Sequence, residues 1–524
     1  MRQVFRKIPV YTGDVSGVCS ALFELGGMVV MHDPSGCNST YNTHDEIRWY
    51  DHDSLIFLSG LNEMEAVMGS DEALIRDIVD TARIYHPAFI AIANSPIPYI
   101  IGMDFDAICR IVEEETGIPS FYIPTNGMHD YTHGAGLAFL RLAERMIPVQ
   151  PNREENRISQ NHGNADGKRA AETDRVQENY LEQNKARNDG MIRSNILGMT
   201  PLDFAASSTL ATMRDKIEKA GLEILSCWAM GDVSDTLPHG KPEAGSLVQS
   251  NFNPGSSNPG RLNHGGLNPC SLDAICRSTE ADVSLVISST GFPVAQYLWD
   301  HFGIPFVVGI PAAGVEKKYF EAVEKAVREN ASQFPFQNRD AFCERLRSAE
   351  PVSEHDLDKS RTCTYRSGGQ ELPVSEKQPA GHHICLIGEP VIMTSLAAAV
   401  EKKTGAQTHV FGATENSAPF LGPADAALTG EEELERALGR IVEESRVPVR
   451  TQAQPGTETQ AETGAQRDVE VGASTAGAEP VSVVADPCYA DILPDGCDLI
   501  RLPHLAFSGR IFLKEIPDLL QWPM

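Results

Sequence analysis

Two cysteines near the start of the chain, Cys19 and Cys37, are the side chains best suited to hold a redox centre. Each stands in a glycine-bearing turn, Asp14-Val15-Ser16-Gly17-Val18-Cys19 and Asp33-Pro34-Ser35-Gly36-Cys37. Between them the pattern predicts a helix from about Ser16 to Leu25, then a strand, Met28-Val29-Val30-Met31. A helix gaining about 1.5 Å per residue and a strand returning at about 3.3 Å per residue have matched lengths here. The hairpin they form predicts Cys19, at the helix start, and Cys37, just past the strand end, on one edge. Two thiolates are half of the four ligands that a cubane iron–sulfur cluster takes. The other half must come from elsewhere in the chain or from a second chain.

Other side chains with chemistry gather nearby. Asp14 and Asp33 flank the cysteines and can offer oxygen, although a capping or solvated role is the plainer expectation. His32, His44, Asp45 and His52 surround Cys37 in sequence, and imidazole titrates near neutrality, as a proton donor requires. The run His129-Asp130-Tyr131-Thr132-His133 has the same potential. For all of these an ordinary turn or loop is the simpler account. Lys317, Lys318 and Arg510 fall where strand ends meet loops and are candidates for holding an anionic substrate.

The 72 acidic residues against 44 basic ones leave a formal charge of −28, which argues against nucleic acid or an anionic membrane as partner. No apolar run approaches the roughly 20 residues needed to span a bilayer. The first residues do not lead into a signal-peptide core, so a cytoplasmic location is expected. The eleven cysteines are scattered without a CxxC pair, a pattern of reduced thiols and not of a disulfide framework. Cys109, Cys276 and Cys385 fall in helical or strand patterns and are expected in the core.

Stepping outward to the elements that position these groups, a βαβ pattern recurs three times. The expected organisation is a first α/β domain over 1–149 carrying the cluster cysteines, a disordered insert over 150–190, and a second α/β domain over 191–350 with an insert at 239–270. A polar linker over 351–380 and a third α/β domain over 381–524, with an insert at 450–480, complete the chain. The four polar stretches hold too few apolar residues to fold alone. The fold class is thus α/β, three doubly wound Rossmann-like domains with parallel sheets. Such folds bind ligands at the carboxyl ends of strands, where Cys37 lies. No GxGxxG or GxxxxGK[ST] loop opens any domain, so the chain is not expected to bind ATP or NAD itself.

Taken together, three such domains with Gly-x-Cys and Pro-x-Gly-Cys in the first resemble the nitrogenase component 1-like oxidoreductases. Gly60-Leu61-Asn62-Glu63-Met64-Glu65, Ile101-Gly102-Met103-Asp104, His301-Phe302-Gly303-Ile304-Pro305 and Leu502-Pro503-His504-Leu505 support the likeness. That family includes nitrogenase subunits, cofactor-scaffold subunits, the dark-operative protochlorophyllide reductase and the reductase of coenzyme F430 synthesis. The resemblance implies an oxidoreductase whose electrons come from an ATP-dependent iron–sulfur reductase. It also favours a [4Fe–4S] cluster at a dimer interface. Because a two-fold axis presents each ligand twice, two copies of Cys19 and Cys37 would complete the cluster in a homodimer. A related component 1 subunit supplying the other ligands, or unligated thiols on a cluster-free fold, are the alternatives. The departures from the family are equally informative. Pro96 stands where members commonly carry a third cluster cysteine, and the strand where nitrogenase holds its catalytic metallocluster by cysteine reads Leu285-Val286-Ile287-Ser288-Ser289, with serine in that place. His504 lies near the place of that cluster's histidine ligand. Dinitrogen is therefore not the expected substrate, and a scaffold for metallocofactor assembly or a binding protein are the other functional readings.

Overall fold

The computed structural model describes residues 10–34, 46–49, 54–69, 71–149, 191–206, 208–230, 269–337, 383–415, 417–422, 424–428, 430–445 and 481–522. The polar stretches expected at 150–190, 351–380 and 450–480, and all but the last two residues of 239–270, lie outside them.

Three parallel sheets organise the described chain. The first contains β1 (Met28–His32), β2 (Leu55–Leu58), β3 (Ile90–Asn94) and β4 (Ser120–Ile123), in the order β2-β1-β3-β4. The second contains β5 (Ile192–Leu197), β6 (Leu222–Cys227), β7 (Val283–Val286) and β8 (Phe306–Val308), in the order β6-β5-β7-β8. The third contains β9 (His383–Gly388), β10 (Gln407–Gly412), β11 (Ala426–Ala427), β12 (Val481–Ala485) and β13 (Cys497–Arg501), in the order β11-β10-β9-β12-β13. Every pairing is parallel, for example Val30 with both Phe57 and Ile92. In each sheet the order reverses beside the first strand, which makes the fold doubly wound. The central strands are mostly apolar because helices cover both faces; β1, β3 and β7 are buried at every residue, including the polar His32, Asn94 and Ser284.

The helices that matter for the site are α1 (Asp14–Leu22), α2 (Glu63–Met68), α3 (Asp71–Tyr85), α4 (Pro96–Ile101), α5 (Phe105–Thr116) and α6 (Tyr131–Met146). In the later units they are α7 (Thr209–Lys219), α8 (Leu272–Cys276), α9 (Phe292–Phe302), α10 (Glu316–Glu329), α11 (Pro390–Thr404), α12 (Glu431–Ser445) and α13 (Leu505–Ser508). Helix α1 begins two residues earlier than its apolar pattern suggests. The Asp14 carboxylate accepts N–H groups from Val15 at 2.7 Å, Asn126 at 2.9 Å and Gly127 at 3.0 Å, which anchors the first turn to the loop after β4. Helices α1 and α6 cross in backbone contact. A Cβ on Gly134 would fall 1.9 Å from the Asp14 carbonyl oxygen, and one on Gly17 would fall 2.3 Å from that of Tyr131. One apolar cluster then runs through all three units, from Val18 and Phe139 to Val294 and Phe411.

Candidate functional site

The carboxyl ends of the second and third sheets converge on a buried polar junction. Asp203, in the loop after β5, is its hub. Its carboxylate accepts the Tyr131 hydroxyl from α6 and the Ser288 hydroxyl, beyond the end of β7, at 2.6 Å. Ser288 in turn accepts from Thr290 Oγ1 at 3.0 Å. The His504 ring comes within 3.3 Å of Asp203 through Nε2, yet neither ring nitrogen makes a hydrogen bond. His504 is held there by its backbone, whose N–H donates to Asp486 Oδ2 at 2.8 Å beyond β12, where Ser508 Oγ also donates at 2.8 Å. Glu389, at the end of β9, accepts N–H from Ser289 at 2.8 Å and from Ile392 at 2.8 Å, so it ties the second unit to the third. Glu389 has no exposed surface. Burial, and then the charge of Asp203, push its carboxyl up to about 8. Burial likewise pushes the Tyr131 phenol up. Such a junction favours a protonated Glu389, and it is sealed from solvent.

A second group of titratable side chains lies at the carboxyl edge of the first sheet. His32 ends β1, with Nδ1 2.8 Å from Ser59 Oγ and Nε2 3.2 Å from the Met103 sulfur. Burial pushes this imidazole down to about 4, so it is neutral near pH 7 and does not serve there as a proton donor. His129 Nδ1 lies 2.9 Å from Glu415 Oε2, in the loop after β10. That hydrogen bond raises His129. The His129 ring stacks on His133 at 4.2 Å between centroids. Burial, then the charge of His129, push His133 down to about 4.

The remaining sequence candidates are distributed as follows. Cys19 is the sixth residue of α1, not at its start as the hairpin suggests, because Asp14 begins the helix early. Its side chain is fully buried in the apolar cluster. Burial, and then the nearby Glu46 carboxylate, push the thiol up, which favours the protonated form. The segment carrying Glu46 covers α1 through Arg48, whose guanidinium donates to the Ser20 carbonyl at 2.8 Å and pairs with Glu46 at 2.7 Å. Cys37, His44, Asp45 and His52 lie outside the described residues. Asp14 is a buried backbone acceptor and not a solvated group, with its carboxyl raised by burial against the N–H bonds it receives. Asp33 is buried too, its N–H donating to Ser59 Oγ at 3.2 Å. Pro96 is the first residue of α4. Lys317 is exposed and pairs with Glu321 at 3.8 Å, Lys318 lies 5.3 Å over the Phe336 ring, and Arg510 is exposed. Cys109 and Cys385 are core thiols as expected, but Cys276, at the end of the short α8, is exposed. A helix of five residues buries only Ala274 and Ile275.

Around the edge where β1 and β3 end, the surface is apolar. Met64, Val67 and Met68 of α2, Ile97, Ile100 and Ile101 of α4, and Met128 are all exposed.

Against known proteins, the model of the family described as nitrogenase component 1 type oxidoreductase matches residues 16–443. The chain belongs to that family. The NifE protein of nitrogenase iron-molybdenum cofactor biosynthesis from Methanococcus maripaludis is 28% identical over 107 residues, 20% of this chain and 22% of that protein. The NifE of Klebsiella pneumoniae is 30% identical over 103 residues, 19% of this chain and 22% of that protein. The matched stretch thus spans about a fifth of each relative. A nitrogenase structure, Cp1 at pH 5, superposes with a TM-score of 0.43 at 14% identity, covering 79% of this chain and 66% of that one. In this family member the hydroxyl of Ser288 donates to Asp203. Asp203 and Glu389 escaped sequence reasoning. For Glu389 there was a signal in Gly388-Glu389-Pro390, an acid closing an apolar strand just before a helix-starting proline. Asp203 sits in an aperiodic loop that carries none.

Proposed function

We propose that this chain is the substrate-reducing component of a two-component system in the cytoplasm. Electrons arrive from an ATP-dependent iron–sulfur reductase, and the substrate is an unidentified molecule other than dinitrogen. Two copies share a [4Fe–4S] cluster on Cys19 and Cys37, within the three-domain organisation set out from the sequence. When bound, such a cluster supplies one-electron transfer at a potential tuned by burial and hydrogen bonding. The observation that carries this reading is the family match over residues 16–443; in sequence, Cys37 follows the last residue of β1 by five positions. The exposed apolar rim of α2 and α4 beside the carboxyl edge of the first sheet supports a second copy of the chain docking there. Ser288 supports the exclusion of dinitrogen, since a hydroxyl is a poor soft-metal ligand beside a thiolate.

Cys19 does not fit the cluster in its present packing. A sulfur with no exposed surface inside one chain cannot meet a cluster on an axis between two chains. Ligation by Cys19 requires the Glu46–Arg48 segment to lift from α1. Iron analysis of anaerobically purified protein tests the proposal, with about four irons per dimer expected for one shared cubane. About eight would give each chain its own cluster and end the shared-site reading. Iron lost in Cys37→Ser but retained in Cys19→Ser would keep a cluster and remove Cys19 from it.

A scaffold for metallocofactor assembly is the second reading, favoured by the relatives named for cofactor biosynthesis. Transfer of metal to an apo-partner without reduction of any substrate would establish it over the first.

A further inference from the structure

We propose that His129, His133 and Glu415 bind one divalent first-row transition metal ion, and that this ion staples the first α/β unit to the third. One ligand atom from each of the three residues lies within 4.8 Å of the other two. Metal–nitrogen and metal–oxygen bonds of roughly 2.0–2.2 Å bring such atoms to separations of about 3 Å, so small side-chain rotations close the site. His129 Nδ1 and Glu415 Oε2 already stand 2.9 Å apart. The two imidazoles come from positions four apart at the start of α6, where their rings stack. His133 Nε2 is buried and has no hydrogen-bond partner. A buried ring nitrogen left without a partner costs free energy, and a metal ion beside it supplies the missing interaction.

The carboxylate is held in place by the element it would bind. Asp130, the N-cap of α6, accepts the Glu415 N–H at 2.6 Å through Oδ2 and the Thr132 N–H at 2.9 Å through Oδ1. The backbone of Glu415 is thereby locked to the turn that carries both histidines. Partners of this kind, which orient ligands without touching the metal, are a regular feature of built sites. Two imidazoles and one carboxylate select borderline ions such as zinc or ferrous iron over magnesium or calcium, which prefer all-oxygen shells. Three protein ligands leave at least one position for water. The site uses neither of the proposed cluster cysteines and none of the Asp203 junction, so it stands or falls independently of the proposed function.

Zinc titration of the full-length chain, after treatment with a chelator, tests the proposal. The wild type should take up one zinc per chain that His133→Asn and Glu415→Gln each weaken on the order of 100-fold, the size of effect known for perturbing metal shells. Zinc should raise the melting temperature of the wild type and not of either variant. Cobalt in place of zinc should give visible ligand-field bands without a thiolate charge-transfer band. Preferential loading of iron over zinc on growth with both metals would identify ferrous iron as the occupant. Equal zinc uptake by wild type and variants, no uptake by the wild type, or a thiolate-type cobalt spectrum would each overturn the site. Melting of the zinc-free variants within a few degrees of the zinc-free wild type excludes misfolding, and His129→Gln provides a third variant if one of them fails that control.

Discussion

Glu389 should make the stability of this protein fall as pH rises, and Asp203→Asn should flatten that fall. The Glu389 carboxyl is pushed from an ordinary value of 4.5 up to about 8, first by burial and then by the Asp203 charge. A carboxyl raised in the folded state holds its proton where the unfolded chain has lost it. Its contribution is therefore fully present below about pH 4.5 and is lost as pH rises towards 8. Each unit of pH in that window removes about 1.4 kcal/mol, so by pH 7 the loss is on the order of 3 kcal/mol. Asp203→Asn removes the second cause, so Glu389 drops towards its ordinary value and the fall becomes shallower and ends at lower pH. The amide keeps a carbonyl for the Tyr131 hydroxyl and presents an NH₂ to Ser288, so the polar cost at pH 5 is about 1–2 kcal/mol. Asp203→Ala instead leaves the Tyr131 and Ser288 hydroxyls without their acceptor and should cost about 2–6 kcal/mol, taking about 1–3 for each stranded group. Urea midpoints measured from pH 5 to 9 on the three proteins give both numbers. Parallel curves for wild type and Asp203→Asn would refute the coupling between the two carboxyl groups.

His32, with its imidazole pushed down to about 4, works in the opposite direction. Its contribution is present above about pH 6.5 and is lost as pH falls towards 4, and His32→Gln should remove that acid limb from the same urea series. Gly134→Ala should separate α1 from α6, because the new methyl overlaps the Asp14 carbonyl at 1.9 Å; a melting temperature unchanged from wild type would show that the crossing adjusts freely. Cys19→Ser places a hydroxyl in the apolar cluster and should cost about 1–3 kcal/mol, visible as a lowered melting temperature whatever happens to the iron. Deleting Asn152–Asp189 should leave the melting temperature within a few degrees, since long surface loops add little closure entropy, and loss of folded protein would show that the stretch is docked.

The parts of the fold that were legible are those whose information is local. Val29-Val30-Met31, Ile90-Ala91-Ile92 and Ile384-Cys385-Leu386-Ile387 are apolar runs because helices cover both faces of each sheet, and such runs declare central parallel strands without help from distant residues. The start of α1 was not legible, since the carboxylate that begins it is satisfied by Asn126 and Gly127, more than a hundred positions away. That long-range anchor accompanies a helix start two residues earlier than the local pattern suggests, with Cys19 in the second turn and its side chain in the core. The histidine run at 129–133 was visible as titratable chemistry, but the carboxylate that meets it comes from β10's loop in the third unit. The Asp203 junction was hidden for the same reason: its members come from loops of all three units and have no common spacing.

The junction also bears on how firmly the three units close on one another. Two buried carboxyl groups whose charges act on each other are costly unless one of them keeps its proton, and desolvation penalties on that scale exceed what one hydrogen bond returns. Glu389 meets this condition by staying protonated, with its two oxygens receiving N–H groups from both the second and the third unit. Opening the junction to admit a substrate would hydrate Glu389, release its proton near neutral pH and strand Ser289 and Ile392 without their shared acceptor. The closed state is thus favoured by the same proton that makes it possible.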